Sequence, residues 1–329
     1  FSPAPPGVPF GALLSGWAAD QGMSPDAKPV PRALYDRQRT LTRLEDFLGQ
    51  HDAAQVTKAD AVRWKEDGQK RGLTAGTLRN DISEMSAIWK WAIRNGKLSE
   101  NPFEGISPPK PKRRAATRRP FTEQEAALIL NAARKERGVL RWLPWVCALT
   151  GARLNEIVQS DREDLIEVDG VLALRIHDDG EDGETRSLKN ADSRRTVPLH
   201  WALIAEGFPD YARALPAGSP LFPDVKPDAV FGLRSPIAGK KVSRWLKVKL
   251  GLSDPHISPL HSWRHTFIDA ARLAEIPQEV RSAITGHAAK LDESAAYGLG
   301  VGHFLGLLKR EIDKIALPAG VEPRAAKPG

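Results

Sequence analysis

A single cysteine, Cys147, in 329 residues leaves the chain without a disulfide framework or a cysteine-based metal cluster. It sits in an apolar run, as expected of a thiol kept in a reducing compartment. The longest apolar stretch, from Val139 to Thr150, is interrupted by Arg141. It is well short of the roughly 20 residues a membrane helix needs. The N-terminus has neither the basic nor the apolar region of a secretory signal. It also has no initiator methionine, which reads as a fragment or a trimmed chain. No carboxylate cluster and no Cys/His cluster marks a metal centre, so neither a metal nor a cofactor is expected. No internal repeat is present. These absences point to a cytoplasmic protein with no membrane partner.

What is abundant is positive charge. Lys and Arg total 48 against 41 Asp and Glu, a formal net charge of +7. Hydrophobic content of 41% and charged content of 27% describe a globular protein with core enough for about two domains. A basic balance favours an anionic partner, of which nucleic acid is the commonest. Charge alone fits a basic surface kept for solubility equally well.

Residues 1–108 read as a small helical domain behind an irregular, proline-rich entry. A short helix covers Phe10 to Trp17, and apolar residues at Leu34, Leu41, Leu44 and Leu48 keep helical spacing in the next. Thr57 caps a third helix. Thr74 opens a fourth, with Leu78, Ile82, Met85, Ile88 and Trp89 on one face and Gly96 as its stop. Lys70, Arg71 and Arg79 gather around the intervening turn. A solvated helix face is the ordinary explanation for them, and a phosphate-contacting role is the functional one.

Residues 109–121 form a proline-rich basic linker that includes Lys112, Arg113, Arg114, Arg118 and Arg119; its charges fit a merely solvated segment and one that lies along a nucleic-acid backbone equally well. The second domain is assigned to 122–317. It opens on the capping-box pattern Thr122-Glu-Gln-Glu125, and helices follow at about 122–135 and 139–149. Near Gly151 one helix ends and another begins at Arg153, with Glu156 one turn on. Standing alone, Arg153 and Glu156 read as a surface ion pair of little energetic weight.

The period then changes to two. Leu165 to Val168 and Val171 to Ile176 flank Asp169-Gly170, a hairpin signal, and Arg195 to Leu199 supplies a third strand. An acidic loop, Asp178 to Glu184, and Lys189 lie between. A basic amphipathic helix covers about 235–250. Ser258-Pro259 then opens a helix that sets His261 and Arg264 one turn apart on one face. His287 follows Gly286, Tyr297 lies ten residues further, and an apolar helix runs from Val301. Residues 318–329, rich in Pro and Ala, are expected to form a flexible tail. His200 and His265 read as structural.

Arg153, Lys189, His261, Arg264, His287 and Tyr297 thus occur in order, each in its own context: Thr-Gly-Ala-Arg153-Leu-Asn-Glu156, Lys189 ahead of Ser-Arg-Arg-Thr-Val-Pro-Leu, His261-Ser-Trp-Arg264-His-Thr-Phe, Gly-His287 and Tyr297-Gly. The set resembles the tyrosine recombinases, the phage integrase family, over roughly residues 10–317. Trp263 stands where leucine is more usual, and Asn190 where threonine is common.

The resemblance implies a mainly α fold with a small antiparallel β-sheet: a helical core-binding domain plus an α+β tyrosine-recombinase catalytic domain. It implies a site-specific DNA recombinase, the integrase of a prophage or other integrative element, that cleaves and rejoins DNA through a 3′-phosphotyrosyl intermediate. Tyr297 would be the nucleophile, and Arg153 and Arg264 the phosphate clamps. His261 would be proton acceptor or phosphate ligand, His287 a second donor, Lys189 the general acid, and Glu156 an orienting group. The implied partners are double-stranded DNA, a homotetramer on DNA (with a monomer in free solution allowed) and an accessory DNA-bending protein; a nucleoid-associated location goes with them. Two rivals share parts of this reading: a type IB topoisomerase-like enzyme that relaxes DNA, and a non-catalytic DNA-binding protein on the same fold.

Overall fold

A computed structural model describes residues 7–24, 26–108, 118–177, 194–286 and 301–325. The chain divides into two compact units, Phe1–Ala115 with Ala229–Gly232, and Ala116–Asp228 with Leu233–Gly329.

The first unit is built from α1 (Phe10–Asp20), α2 (Arg32–Leu48), α3 (Lys58–Lys70) and α4 (Ala75–Arg94). Local sequence signals set these limits. Thr57 accepts from the Asp60 backbone N–H while the Asp60 carboxylate accepts from the Thr57 N–H, a reciprocal cap at the start of α3. Thr74 caps α4 through the Thr77 N–H. The α4 face carrying Ile82, Met85, Ile88 and Trp89 is buried against the other helices. Phe10 and Phe103 stand tilted or edge-on to Trp89 at 5.9 and 5.1 Å, favourable geometries for aromatic pairs. One carboxylate is buried in this unit with a matching cation: Asp81 accepts from Arg43 Nη2 at 2.8 Å.

The second unit is assembled around α6 (Gly138–Thr150), which is apolar on almost every side and correspondingly buried. Around it pack α5 (Glu123–Ala133), α7 (Leu154–Val158), α10 (Ser235–Lys249) and α11 (Pro259–Leu273). The capping box expected at Thr122 and Glu125 is present. Strands β1 (Leu165–Val168), β2 (Val171–Ile176) and β3 (Arg195–Pro198) form one antiparallel sheet in that order. Val168 pairs with Val171 across Asp169 (φ 49°) and Gly170 (φ 76°). Two successive positive φ values match the twist of the flanking strands. Helix α12 (Gln278–Thr285) packs on β3, and α13 (Val301–Ile312) packs on β2 and β3. The mainly helical architecture with a small antiparallel sheet agrees with the fold class expected from sequence.

Three features differ from the sequence reading. Two short helices, α8 (Trp201–Ala205) and α9 (Phe208–Arg213), lie where no helix was expected. Buried His200 caps α8: its Nδ1 accepts from the Ala202 N–H at 3.1 Å, so Nε2 carries the proton donated to the Ile315 carbonyl at 3.0 Å.

The second difference concerns 119–121, which are not linker. Phe121 is buried, its N–H donates to Thr266 Oγ1 at 2.9 Å, and the Arg119 N–H donates to the His256 carbonyl.

The third is the tail, which is packed from 318 to 325 rather than loose. Val321 is buried, the Ala319 N–H donates to Glu123, and the Gly320 and Glu322 carbonyls accept from Asn131 and Arg134. The Pro/Ala composition hid these anchors because they lie far back in the chain, on α5 and just beyond its end.

Candidate active site

The site forms where α6 ends. Gly151 closes α6 at φ 61°, and Phe267 of α11 packs so close that a Cβ there would collide with its ring. Both demands select glycine. Arg153 then serves as N-cap of α7, and Glu156 returns one carboxylate oxygen to the Arg153 N–H (2.8 Å) and the other to Arg153 Nη1 (2.7 Å). This pair is not the surface contact that spacing alone suggests. The Glu156 side chain is 3% exposed, while that of Arg153 is 25% exposed.

Helix α11 starts as read, with Ser258 as N-cap and Pro259 in its first turn. His261 is exposed and Arg264 is buried, one turn apart. Arg264 Nη1 donates to the Gly151 carbonyl at 2.8 Å and Nη2 to the Thr285 carbonyl at 2.6 Å. Trp263, the departure noted in this motif, is buried against Phe121 with ring centroids 4.7 Å apart.

Sequence reasoning missed one member of the site. Arg195, on β3, donates from Nη2 to Glu156 at 2.8 Å and from Nε to the Ile284 carbonyl at 2.8 Å, with its side chain 7% exposed. The signal available was strand parity: Arg195 shares its face with Val197, two residues on, which is buried. The two adjacent arginines of the motif look alike until that alternation is applied.

Three guanidiniums, Arg153, Arg195 and Arg264, therefore surround one carboxylate. Burial alone would raise the Glu156 carboxyl, but the charge and hydrogen bond of Arg195, with the bonds from Arg153, hold it below the usual carboxylate range. Burial, then the nearby Arg153 charge, pushes the Arg264 guanidinium down to about 10, so it remains a cation at neutral pH. His261 is lowered by partial withdrawal from water and then by the charges of Arg118, His265, Arg264 and Arg153. Both effects favour the neutral imidazole, the form able to accept a proton. Burial, then the Glu156 charge, pushes the Cys147 thiol up to about 12, which leaves it inert.

Among the described residues, the Nε and Nη2 donors of Arg153 make no protein hydrogen bond. Partly exposed donors over an excess of fixed positive charge suit an oxyanion, and above all a phosphate.

The remaining expected residues divide. Lys189, His287, Tyr297, Lys112, Arg113 and Arg114 lie outside the described residues. Lys70, Arg71 and Arg79 are exposed on the α3–α4 turn and the first turns of α4. Arg118 is exposed and adds its charge at His261. Arg119 is committed elsewhere: it grips both oxygens of Glu125 at 2.7 Å and Asp254 at 2.8 Å. Its guanidinium braces the cap of α5.

The class these features define is a mainly helical protein of two units, with paired arginines and a histidine converging beside a small sheet. No family model matches the chain. Among curated proteins it is 26% identical over 232 residues to the tyrosine recombinase XerC of Proteus mirabilis, covering 67% of this chain and 66% of that protein. To XerC of Shigella dysenteriae (serotype 1, strain Sd197) it is 23% identical over 289 residues, covering 81% and 85%. It is 30% identical over 104 residues to the defective protein IntQ of Escherichia coli K12, of which it spans only 25%, against 32% of its own length.

Among solved structures, a lambda integrase dimer bound to a COC′ core site superposes with a TM-score of 0.60 at 18% identity, covering 88% of this chain and 77% of that one. The Tn1549 transposon integrase in complex with a circular intermediate DNA does so with 0.60 at 18%, covering 85% and 92%. The chain is thus similar to tyrosine recombinases over most of its length, and its fold is that of the solved integrases.

Proposed function

We propose that the protein is a site-specific DNA recombinase, the integrase of a prophage or other integrative element, that works through a tyrosyl–DNA intermediate. The observation that carries this reading is the guanidinium pair Arg153 and Arg264, fixed by Glu156 and by backbone carbonyls, with His261 one turn from Arg264. Duplex DNA fits the exposed face of α10 as well, where Lys240, Arg244, Lys247 and Lys249 make no ion pair among the described residues and the helix carries no acidic residue. The lambda integrase and Tn1549 integrase structures hold DNA, and a lambda integrase tetramer is bound to a Holliday junction. A tetramer on DNA is the assembly proposed here.

In this mechanism Tyr297 Oη forms a new bond to the scissile phosphorus as the bond to the 5′ oxygen breaks. His261 takes the phenol proton and Lys189 supplies the proton that leaves with the 5′ hydroxyl. Arg153 and Arg264, with His287, hold the non-bridging oxygens as negative charge builds on them. Attack by a 5′ hydroxyl on the phosphotyrosine reverses the step, and the exchange conserves the number of phosphodiesters, so no ATP is required. The preference for an integrative element rests on the Tyr297-Gly298 ending and the helical first unit.

The test is covalent trapping on nicked duplexes selected from the protein's own bound DNA. An SDS-stable adduct that maps to Tyr297 and vanishes in Tyr297→Phe is the expected result. Tight binding with no adduct on any such duplex would overturn the enzyme reading in favour of a binding protein.

A further inference from the structure

Two arginines span the same pair of elements in parallel. Arg264 donates one hydrogen bond to the Gly151 carbonyl, at the corner between α6 and α7, and one to Thr285 at the end of α12. Arg195 donates one to Glu156, in α7, and one to the Ile284 carbonyl, in the same last turn of α12. The carbonyls that end a helix have no partner within it. Here two of them are held by guanidiniums that also hold the arginine-bearing corner.

Gly286 closes α12 at φ 63°, and a Cβ there would stand 2.6 Å from Arg195 Nη1. That glycine is therefore required twice, for its backbone and for the room it leaves the guanidinium.

We propose that Arg195 is a positioning residue for the strand-cleavage step: it fixes the carboxylate that aims Arg153 and locks the end of α12 to the same corner. The inference rests on the proposed recombinase function. Glu156 has two oxygens. With Arg195 on Oε2, Oε1 and the remaining lone pair of Oε2 are left to Arg153, which receives them through both its side chain and its backbone N–H. Without Arg195 the carboxylate would swing or draw Arg153 inward, and the exposed donors of Arg153 would lose their direction. Lysine cannot replace it, because one ammonium lacks the fork that reaches a carboxylate and a carbonyl on different elements.

The experiment uses the full chain and compares wild type with Arg195→Lys, Arg195→Gln and the double variant Arg195→Gln/Glu156→Gln. Three quantities are read: affinity for a selected duplex at fixed salt, the single-turnover rate of adduct formation on its nicked form, and the melting temperature. Arg195→Lys is expected to bind within about threefold of wild type and to form adduct about 10–100-fold more slowly, the size typical of residues that orient active-site ligands. Arg195→Gln is expected to lose both stability and rate, since it leaves a buried carboxylate short of a partner. The double variant, with no such charge, should regain melting temperature but not rate.

Wild-type rates in Arg195→Lys, or a rate that returns with stability in the double variant, would show a merely structural residue and overturn the inference. Absence of adduct in wild type itself overturns the recombinase reading and this one together, so the two failures are distinguishable.

Discussion

Two clusters in the second unit have the same ionic composition and different consequences. Around Glu156 stand Arg153, Arg195 and Arg264; around Glu206, 1% exposed, stand Arg134, Arg141 and Arg324. In the Glu206 cluster two of the guanidiniums, Arg134 and Arg141, are taken up by the protein itself. Arg141 lies over the Trp142 ring at 4.0 Å and Arg134 over Trp145 at 4.9 Å, and Arg134 also holds the Glu322 carbonyl of the C-terminal segment. In the Glu156 cluster no aromatic ring among the described residues covers Arg153, and part of its fork faces outward. An excess of buried positive charge does not by itself make a site. Accessible donors whose direction is fixed from behind do.

The comparison breaks or holds first on a pair of substitutions. Arg153→Ala should slow adduct formation about 100–1,000-fold, as for removal of one oxyanion donor, with little change in melting temperature because Glu156 keeps Arg195. Arg141→Ala should do the reverse. It removes an aromatic-stacked guanidinium that is the most buried of the partners of Glu206, which keeps Arg134. The cost should be about 1–3 kcal/mol in chemical denaturation, while protein that remains folded should form adduct at the wild-type rate. A rate loss in Arg141→Ala at full stability would erase the distinction between the clusters.

A second expectation concerns pH. The folded-state Glu156 carboxyl is held below its ordinary value, so its ionisation stabilises the native state above the ordinary glutamate range, and that contribution is lost as pH falls through the folded value. Denaturation midpoints of wild type and Glu156→Gln should therefore lie furthest apart near pH 7 and converge as the pH is lowered toward 3. A constant gap across that range would mean that the carboxylate is not held by its arginines.

How much of this was readable in sequence follows from the range of each signal. The capping boxes at Thr57 and Thr122, the Asp169-Gly170 hairpin and the proline-started helix carrying His261 and Arg264 are decided within a few residues, and all are present. Trp263 broke a family pattern for a reason that only packing reveals, its contact with Phe121 from the supposed linker. Arg195 escaped because its partners stand 39 and 89 residues away. The C-terminal segment escaped in the same way, through Glu123, Asn131 and Arg134 nearly 200 residues back. Charge counting along the chain ranked Arg119 with the nucleic-acid contacts and passed over α10, because it cannot tell an engaged cation from an available one.

That last distinction gives the smallest and most specific expectation. Arg244 and Lys247 on α10 are exposed and without an ion pair among the described residues, whereas Arg119 is held by Glu125 and Asp254. A lysine or arginine that meets a backbone phosphate displaces condensed counterions, so its loss lowers the steepness of binding against salt by about 1 per contact. Arg244→Ala and Lys247→Ala should each weaken duplex binding about equally for all sequences and flatten the plot of log affinity against log salt. Arg119→Ala should leave that slope unchanged and instead lower the melting temperature, because it unties Glu125, at the start of α5, and Asp254. A flattened slope in Arg119→Ala, with none in the α10 variants, would return the phosphate contacts to the segment just ahead of α5.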